Sequence, residues 1–239
     1  MYKMTISLKN RRIIDKILNK YRPKKKIVIK QYKKNKGDKF KKIFNKKINY
    51  YLKKNNITHK SRSIILDSKY LNTSKVLLKC GFKKSKITSV EYDKNTSIIH
   101  CNFGIKSVNS LLHDYLEKIN NKYIYNNLIF DFQGHIINYA YSALLAIVND
   151  YISDNTLLIL TFCKRCGTKG VKYHISKNDF LKSLTKISTI KGFTFYILEE
   201  FSYYSKKQTE NKQTENKQKK KKTVNQTAME SIFIKFNVI

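Results

Sequence analysis

The segment from Ser63 to Asp93 constrains this chain most. It alternates a short apolar run, a helical stretch and a second apolar run, and an acid closes each run. Ile64 to Leu66 end at Asp67, and Ile87 to Val90 end at Glu91. Between them, Thr73 or Ser74 is placed to cap a helix carrying Val76, Leu77 and Leu78, and Gly81 stands where a left-handed C-terminal residue is wanted. Read as one βαβ unit, the segment puts both acids at the carboxyl edge of a parallel sheet, where open α/β sheets bind ligands.

The stretches that follow extend the pattern. Ser97 to Phe103 reads as a third strand ending near Asn102, and Gly104 breaks the run. Ser107 then caps a helix whose stripe is Val108, Leu111, Leu112, Tyr115, Leu116 and Ile119. Leu128 to Phe130 form a fourth strand that stops at Asp131, and the following Phe132, Gln133, Gly134 and His135 turn into a helix with Ala140, Ala143, Leu144 and Ile147 on its core face. Thr156 to Phe162 has the near-continuous apolar character of a buried parallel strand. Ser176 and Asp179 form a capping box ahead of Phe180, Leu184 and Ile187. Phe193 to Phe201 and Ser231 to Val238 have no helical pattern between them and predict a hairpin. The fold class is α/β: a Rossmann-like doubly wound sheet, mostly parallel, with a C-terminal antiparallel hairpin. Residues 205–225 repeat QTENK in tandem, and no apolar residue lies between Ser205 and Thr223. Such a segment cannot offset its ordering entropy by burial, so a disordered lysine-rich loop is expected.

Charge divides the 239-residue chain into a basic helical N-terminal extension, residues 1–60, and an α/β domain, residues 61–239. The first sixty residues hold 22 Lys and Arg against Asp15 and Asp38. Apolar residues recur there at helical spacing, first Ile13, Ile14, Ile17, Leu18 and Tyr21, then Phe40, Ile43, Phe44, Ile48 and Tyr51 or Leu52, with Pro23 between the two stripes. The expectation is two amphipathic helices that dock on the main domain while Lys24, Lys25, Lys26, Lys33, Lys34, Lys41, Lys42, Lys46 and Lys47 face phosphates. The net charge of +34 implies a polyanionic partner, nucleic acid ahead of acidic membrane. An AT-rich genome accounts for some of the Lys and Asn excess, but not for there being only 16 Asp and Glu. No apolar run approaches the roughly 20 residues of a membrane span, and the first residues lack a secretory apolar core, so an intracellular protein is expected. Four cysteines do not suggest a disulfide scaffold, and Cys163 and Cys166 form a lone CxxC that needs two further ligands for a closed zinc site; His174 and a distant cysteine are the candidates to complete it, but no metal is expected. Lys164 and Arg165 inside it are candidates for substrate phosphate.

Strands alternating with helices through five units and ending in a hairpin resemble the class I S-adenosylmethionine-dependent methyltransferase domain, over about Ser61 to Ile239. The resemblance implies S-adenosylmethionine as cofactor. Asp67 would help hold its amino acid end with Ser68, Asn72 and Thr73 in the turn, Glu91 would bind the ribose hydroxyls, and Asn102 would meet the adenine. Asp131 and Gln133 would lie at the methyl group and substrate. Leu66 to Asp67, the turn at Asn72 to Ser74, the loop at Asp131 to Gly134 and the end of the fifth strand are similar to divergent methyltransferase-like proteins of large DNA viruses and mobile elements. Two features depart from the family. The turn from Asp67 to Ser74 has no glycine, and the fourth-strand loop lacks the residues that clamp an amino group on a base or attack cytosine carbon 5. A ribose hydroxyl, a ring nitrogen or a cap is left as acceptor, on RNA or DNA. The alternative is a nucleic-acid-binding or accessory protein with a degraded cofactor turn, working with a partner subunit.

Overall fold

The computed structural model describes residues 6–23, 39–57, 60–119, 123–135, 137–163, 176–205 and 227–239. Among these described residues seven strands form one sheet in the order β3-β2-β1-β4-β5-β7-β6. They are β1 (Ser63–Ile65), β2 (Ile87–Glu91), β3 (Lys106–Asn109), β4 (Asn127–His135), β5 (Leu157–Cys163), β6 (Phe193–Ser205) and β7 (Thr227–Val238). The first five run parallel, and β7 lies antiparallel between β5 and β6. The expected architecture is therefore present. The sheet reverses direction of growth between β1 and β4, so the crevice at a doubly wound sheet's switch point opens there.

Among the described residues seven α-helices cover the sheet: α1 (Leu8–Tyr21), α2 (Lys39–Lys54), α3 (Asn72–Lys79), α4 (Lys94–Asn102), α5 (Leu112–Lys118), α6 (Ile137–Val148) and α7 (Lys177–Ile190). On one face Ile14 and Leu18 of α1, Leu116 of α5, Leu144 of α6 and Leu184 of α7 pack on Leu128, Phe130, Leu158 and Ile232. On the other, Phe44, Ile48 and Leu52 of α2 and Leu77 of α3 pack on Ile65, Ile129, Ile159 and Phe233. The two N-terminal stripes thus become sheet-covering faces, one on each side. Alternation along each strand explains this: Leu128 and Phe130 face one layer, and Ile129 the other.

Several local expectations change. The run Ser97–Phe103 is not a strand but the body of α4, capped by Asp93, whose side chain accepts from the Thr96 N–H at 2.7 Å. Its buried residues are Thr96, Ser97 and His100, at helical spacing, while Ile98 and Ile99 point outward. Apolar content alone misread that segment, because here the polar side chains face inward. The third strand is Lys106–Asn109, so Ser107 lies in a strand and caps nothing. Helix α3 begins before Thr73, because Asp67 reaches across from the strand end to the first-turn N–H groups. Gly81 adopts a φ of +87°, as its position after a helix requires, and Ser176 and Asp179 form the expected reciprocal capping box. No described helix is long and apolar enough to cross a membrane. The 205–225 loop, the stripe-linking Lys24 to Lys34, and Lys164, Arg165 and Cys166 lie outside the described residues, Ser205 of the loop excepted.

Candidate active site at the carboxyl edge

The end of β1 is built from its own neighbours. Asp67 Oδ1 accepts from the N–H of Ser68 at 2.8 Å and of Thr73 at 3.2 Å, and Oδ2 accepts from the Ser74 N–H and hydroxyl, both at 2.7 Å. The carboxylate meets the positive end of the helix and satisfies donors that the helix itself leaves open. The Asp67 N–H in turn donates to Glu91 Oε1 at 2.9 Å, which joins the two strand-end acids. Leu71, the residue before α3, takes φ 56° and ψ 35°. The turn therefore keeps the left-handed step that glycine ordinarily supplies, but a buried leucine makes it. The Thr73 hydroxyl is buried without a hydrogen-bond partner in this same turn, and Asn72 is half-buried beside it.

His100 fixes the turn from below. It is fully buried; Nε2 lies 3.0 Å from the Ser68 carbonyl and Nδ1 2.9 Å from the Ser89 hydroxyl. A carbonyl can only accept, so Nε2 carries a proton. No sequence expectation singled out His100, because the misread strand hid its inward direction.

Asn102 does not join the site. It is the exposed last residue of α4, a helix that starts at the carboxyl end of β2 and runs back towards the opposite edge. The position after the third strand belongs instead to Asn109 and Ser110. Asn109 donates to the carbonyls of Glu91 and Tyr92, and the Ser110 N–H donates to Glu91, so this loop is tied to the end of β2.

Asp131 closes the regular part of β4, paired in register with Thr161 of β5, and the strand is irregular between Asp131 and His135. Its carboxylate forms an ion pair with Lys41 of α2, with the two side chains only 19% and 20% exposed. The Lys41 ammonium also lies 4.6 Å from the centre of the Phe44 ring. Lys41 was expected to face phosphates with its neighbours, and the structure turns it inward. So too Lys47, which pairs with Glu199 of β6, a residue that also accepts from Tyr51 at 3.0 Å. Burial and the adjacent Glu199 raise the Tyr51 phenol to about 12. A sequence signal for Lys41 existed: Lys41, Phe44, Ile48 and Leu52 fall on one helical stripe, and the last three are buried. Gln133 is in β4 by its backbone, but its side chain, like Lys24, Lys25, Lys26, Lys164 and Arg165, falls outside what the structure describes. Among the described residues no group of three or more His, Cys, Asp or Glu side chains is placed to hold a metal ion.

No protein-family model and no curated protein sequence matches the chain. Solved structures do. An S-adenosylmethionine-dependent methyltransferase from Clostridium acetobutylicum is similar with a TM-score of 0.51 and 11% identity, over 84% of this chain and 93% of that one. A candidate methyltransferase from Escherichia coli gives 0.51 and 10% over 90% and 93%, and a candidate RNA methyltransferase from Pyrococcus horikoshii gives 0.50 and 11% over 98% and 100%. The chain has the Rossmann-like fold of these methyltransferases, including the C-terminal antiparallel hairpin.

Proposed function

We propose that the chain is an S-adenosylmethionine-dependent methyltransferase acting on nucleic acid, with a hydroxyl oxygen as the favoured acceptor. The observation that carries this reading is the Lys41 and Asp131 pair on β4, across the switch point from the end of β1, where Asp67 meets Glu91. The cofactor would supply an electrophilic methyl group. Glu91 would hold its ribose hydroxyls, the backbone of Ser68 to Leu71 would run beside it, and Ser110 would border the base. The left-handed step at Leu71 and the unpartnered Thr73 hydroxyl fit such a ligand. Asp67 would serve by holding the turn, since its carboxylate already accepts four hydrogen bonds.

A hydroxyl must lose its proton as the oxygen–methyl bond forms. Asp131 would accept that proton, and the Lys41 ammonium would stabilise the negative charge developing on the oxygen as the methyl leaves the sulfur. Gln133, two residues on, would border the acceptor, and Lys24, Lys25, Lys26, Lys164 and Arg165 would meet its phosphates. The net charge of +34 supports a polyanionic substrate, and the likeness to a candidate RNA methyltransferase supports RNA among them. The Lys and Asn excess fits the divergent type of large DNA viruses.

Titration calorimetry with S-adenosylmethionine, followed by transfer of labelled methyl to RNA and DNA, tests the reading. Heat of binding and label in the nucleic acid are expected; no heat and no label would overturn it. The glycine-free turn, with Leu71 where glycine would stand, favours a second reading as a binding or accessory protein. Nucleic-acid binding without cofactor binding would select that reading.

A further inference from the structure

Helices α2 and α3 lie side by side on one face of the sheet, joined by a hydrogen bond from the Cys80 thiol to Asn49 Oδ1 at 2.9 Å. Between Lys39 and Ile57 there is no acid, and none between Asp67 and Glu91. On α2, Lys42, Lys46 and Lys53 are exposed and fall within about 40° of one another around the helix, opposite the buried Phe44, Ile48, Tyr51 and Leu52. On α3, Lys75 and Lys79 are exposed and lie opposite the buried Thr73, Ser74 and Leu77. Each stripe therefore points straight away from the sheet, and an i to i+4 step puts successive ammonium groups about 6 Å apart along the axis. The exposed ring of Tyr50 stands on the same helix, next to the lysine stripe.

The other layer is different. There Asp15 interrupts α1, Asp114 and Glu117 stand on α5, and Asp179 opens α7. Codon bias acts on both layers alike, so it does not account for the absence of acids from both α2 and α3. The cationic stripe also has a fixed relation to the site: Lys42 directly follows Lys41, which is paired with Asp131.

We propose that the outer face of α2 and α3 is the surface on which a nucleic-acid strand runs, its phosphates on Lys42, Lys46, Lys53, Lys75 and Lys79, and that this strand is delivered to the carboxyl edge at Lys41. The inference rests on the nucleic-acid reading above and names the surface that reading lacks. It does not depend on methyl transfer.

The test measures binding of single-stranded oligouridine by fluorescence anisotropy across a range of salt, on the full chain. One variant replaces Lys42, Lys46, Lys75 and Lys79 by Gln; a matched variant replaces Lys9, Lys16, Lys182 and Lys186, equally exposed on the other layer. Each lost phosphate contact lowers the salt slope by about 0.7, so the first variant should lose roughly 3 from the slope and bind at least about tenfold more weakly near 0.1 M salt, while the matched variant stays close to the wild type. Equal losses in both variants would overturn the proposal, because the charge would then act diffusely. Preference of the wild type for anionic phospholipid vesicles over oligouridine would overturn it in favour of a membrane surface. Absence of any oligouridine binding would remove the nucleic-acid reading together with it, whereas absence of cofactor binding alone would leave it standing.

Discussion

The two halves of the carboxyl edge are built in opposite ways. The end of β1 is largely local: the hydrogen-bond partners of the Asp67 carboxylate lie within seven residues, while Glu91, His100 and the Ile129 carbonyl reach in from further along the chain. The end of β4 is remote: Asp131 is met by a lysine 90 positions away, on a helix laid over the sheet from outside. A self-contained turn holds shape, so damage there should appear first as lost stability and poor cofactor retention. On the proposed reading the pair assembled from distant elements carries the chemistry, and damage there should appear first as lost turnover in a protein that is still folded.

The largest expected effect comes from the remote half. Asp131→Asn, which keeps an acceptor for Lys41 but removes the base, should lower methyl transfer by about 10²- to 10⁴-fold with cofactor binding and melting temperature little changed, as read by single-turnover labelling beside calorimetry. Unchanged turnover would break the contrast. In the local half, Asp67→Ala leaves the N–H groups of Thr73 and Ser74 and the Ser74 hydroxyl without their acceptor, and should cost about 3 kcal/mol in denaturant unfolding, with cofactor affinity falling in parallel. A full loss of turnover with no loss of stability would show that Asp67 acts on substrate or cofactor directly. Leu71→Gly sets two terms against each other. Relief of the left-handed strain returns about 1 kcal/mol, and removal of a buried leucine costs about 3 kcal/mol, so a net loss of roughly 2 kcal/mol is expected. A gain in stability would mean that the side chain does not pack.

The smallest effect concerns Tyr51, whose folded value of about 12 exceeds its ordinary 10.0. A raised value stabilises the fold fully below about pH 10, and that share is lost as pH rises from 10 to 12. Tyr51→Phe should flatten this part of an alkaline unfolding series, and Lys47→Met should not abolish it, since burial is the first cause of the shift.

Most of the frame was legible in the residues. Glu91 ends β2, Asp67 stands two residues past β1, and the capping box at Ser176 stands as read, whereas β4 does not stop at Asp131 but runs on to His135. The failures have one physical source, the direction in which a side chain points. Ile98 and Ile99 looked like core and are solvent-facing, because Asp93 starts a helix that turns His100 inward; Asn102 was carried with them to the wrong edge. Lys41 looked like surface and is enclosed, because the helical stripe of Phe44 includes it. Charge and hydrophobicity set a preference for water or interior, but periodicity and caps decide which side chains obey it.

The placement of α1 and α2 has a consequence for synthesis. Both helices leave the ribosome before any strand they will cover, and Phe44 completes its packing only when Phe233 arrives, with ring centres 6.1 Å apart. At about 5 to 20 residues per second the wait is on the order of ten seconds or more. Until their partners emerge in turn, two amphipathic cationic helices carry apolar stripes that are not fully covered, beside a ribosome made largely of RNA. The lysines of both helices then also keep the unfinished chain soluble, and removal of residues 1–57 would strip α1 from one face of the sheet and α2 from the other, leaving α5 to α7 and α3 as the cover.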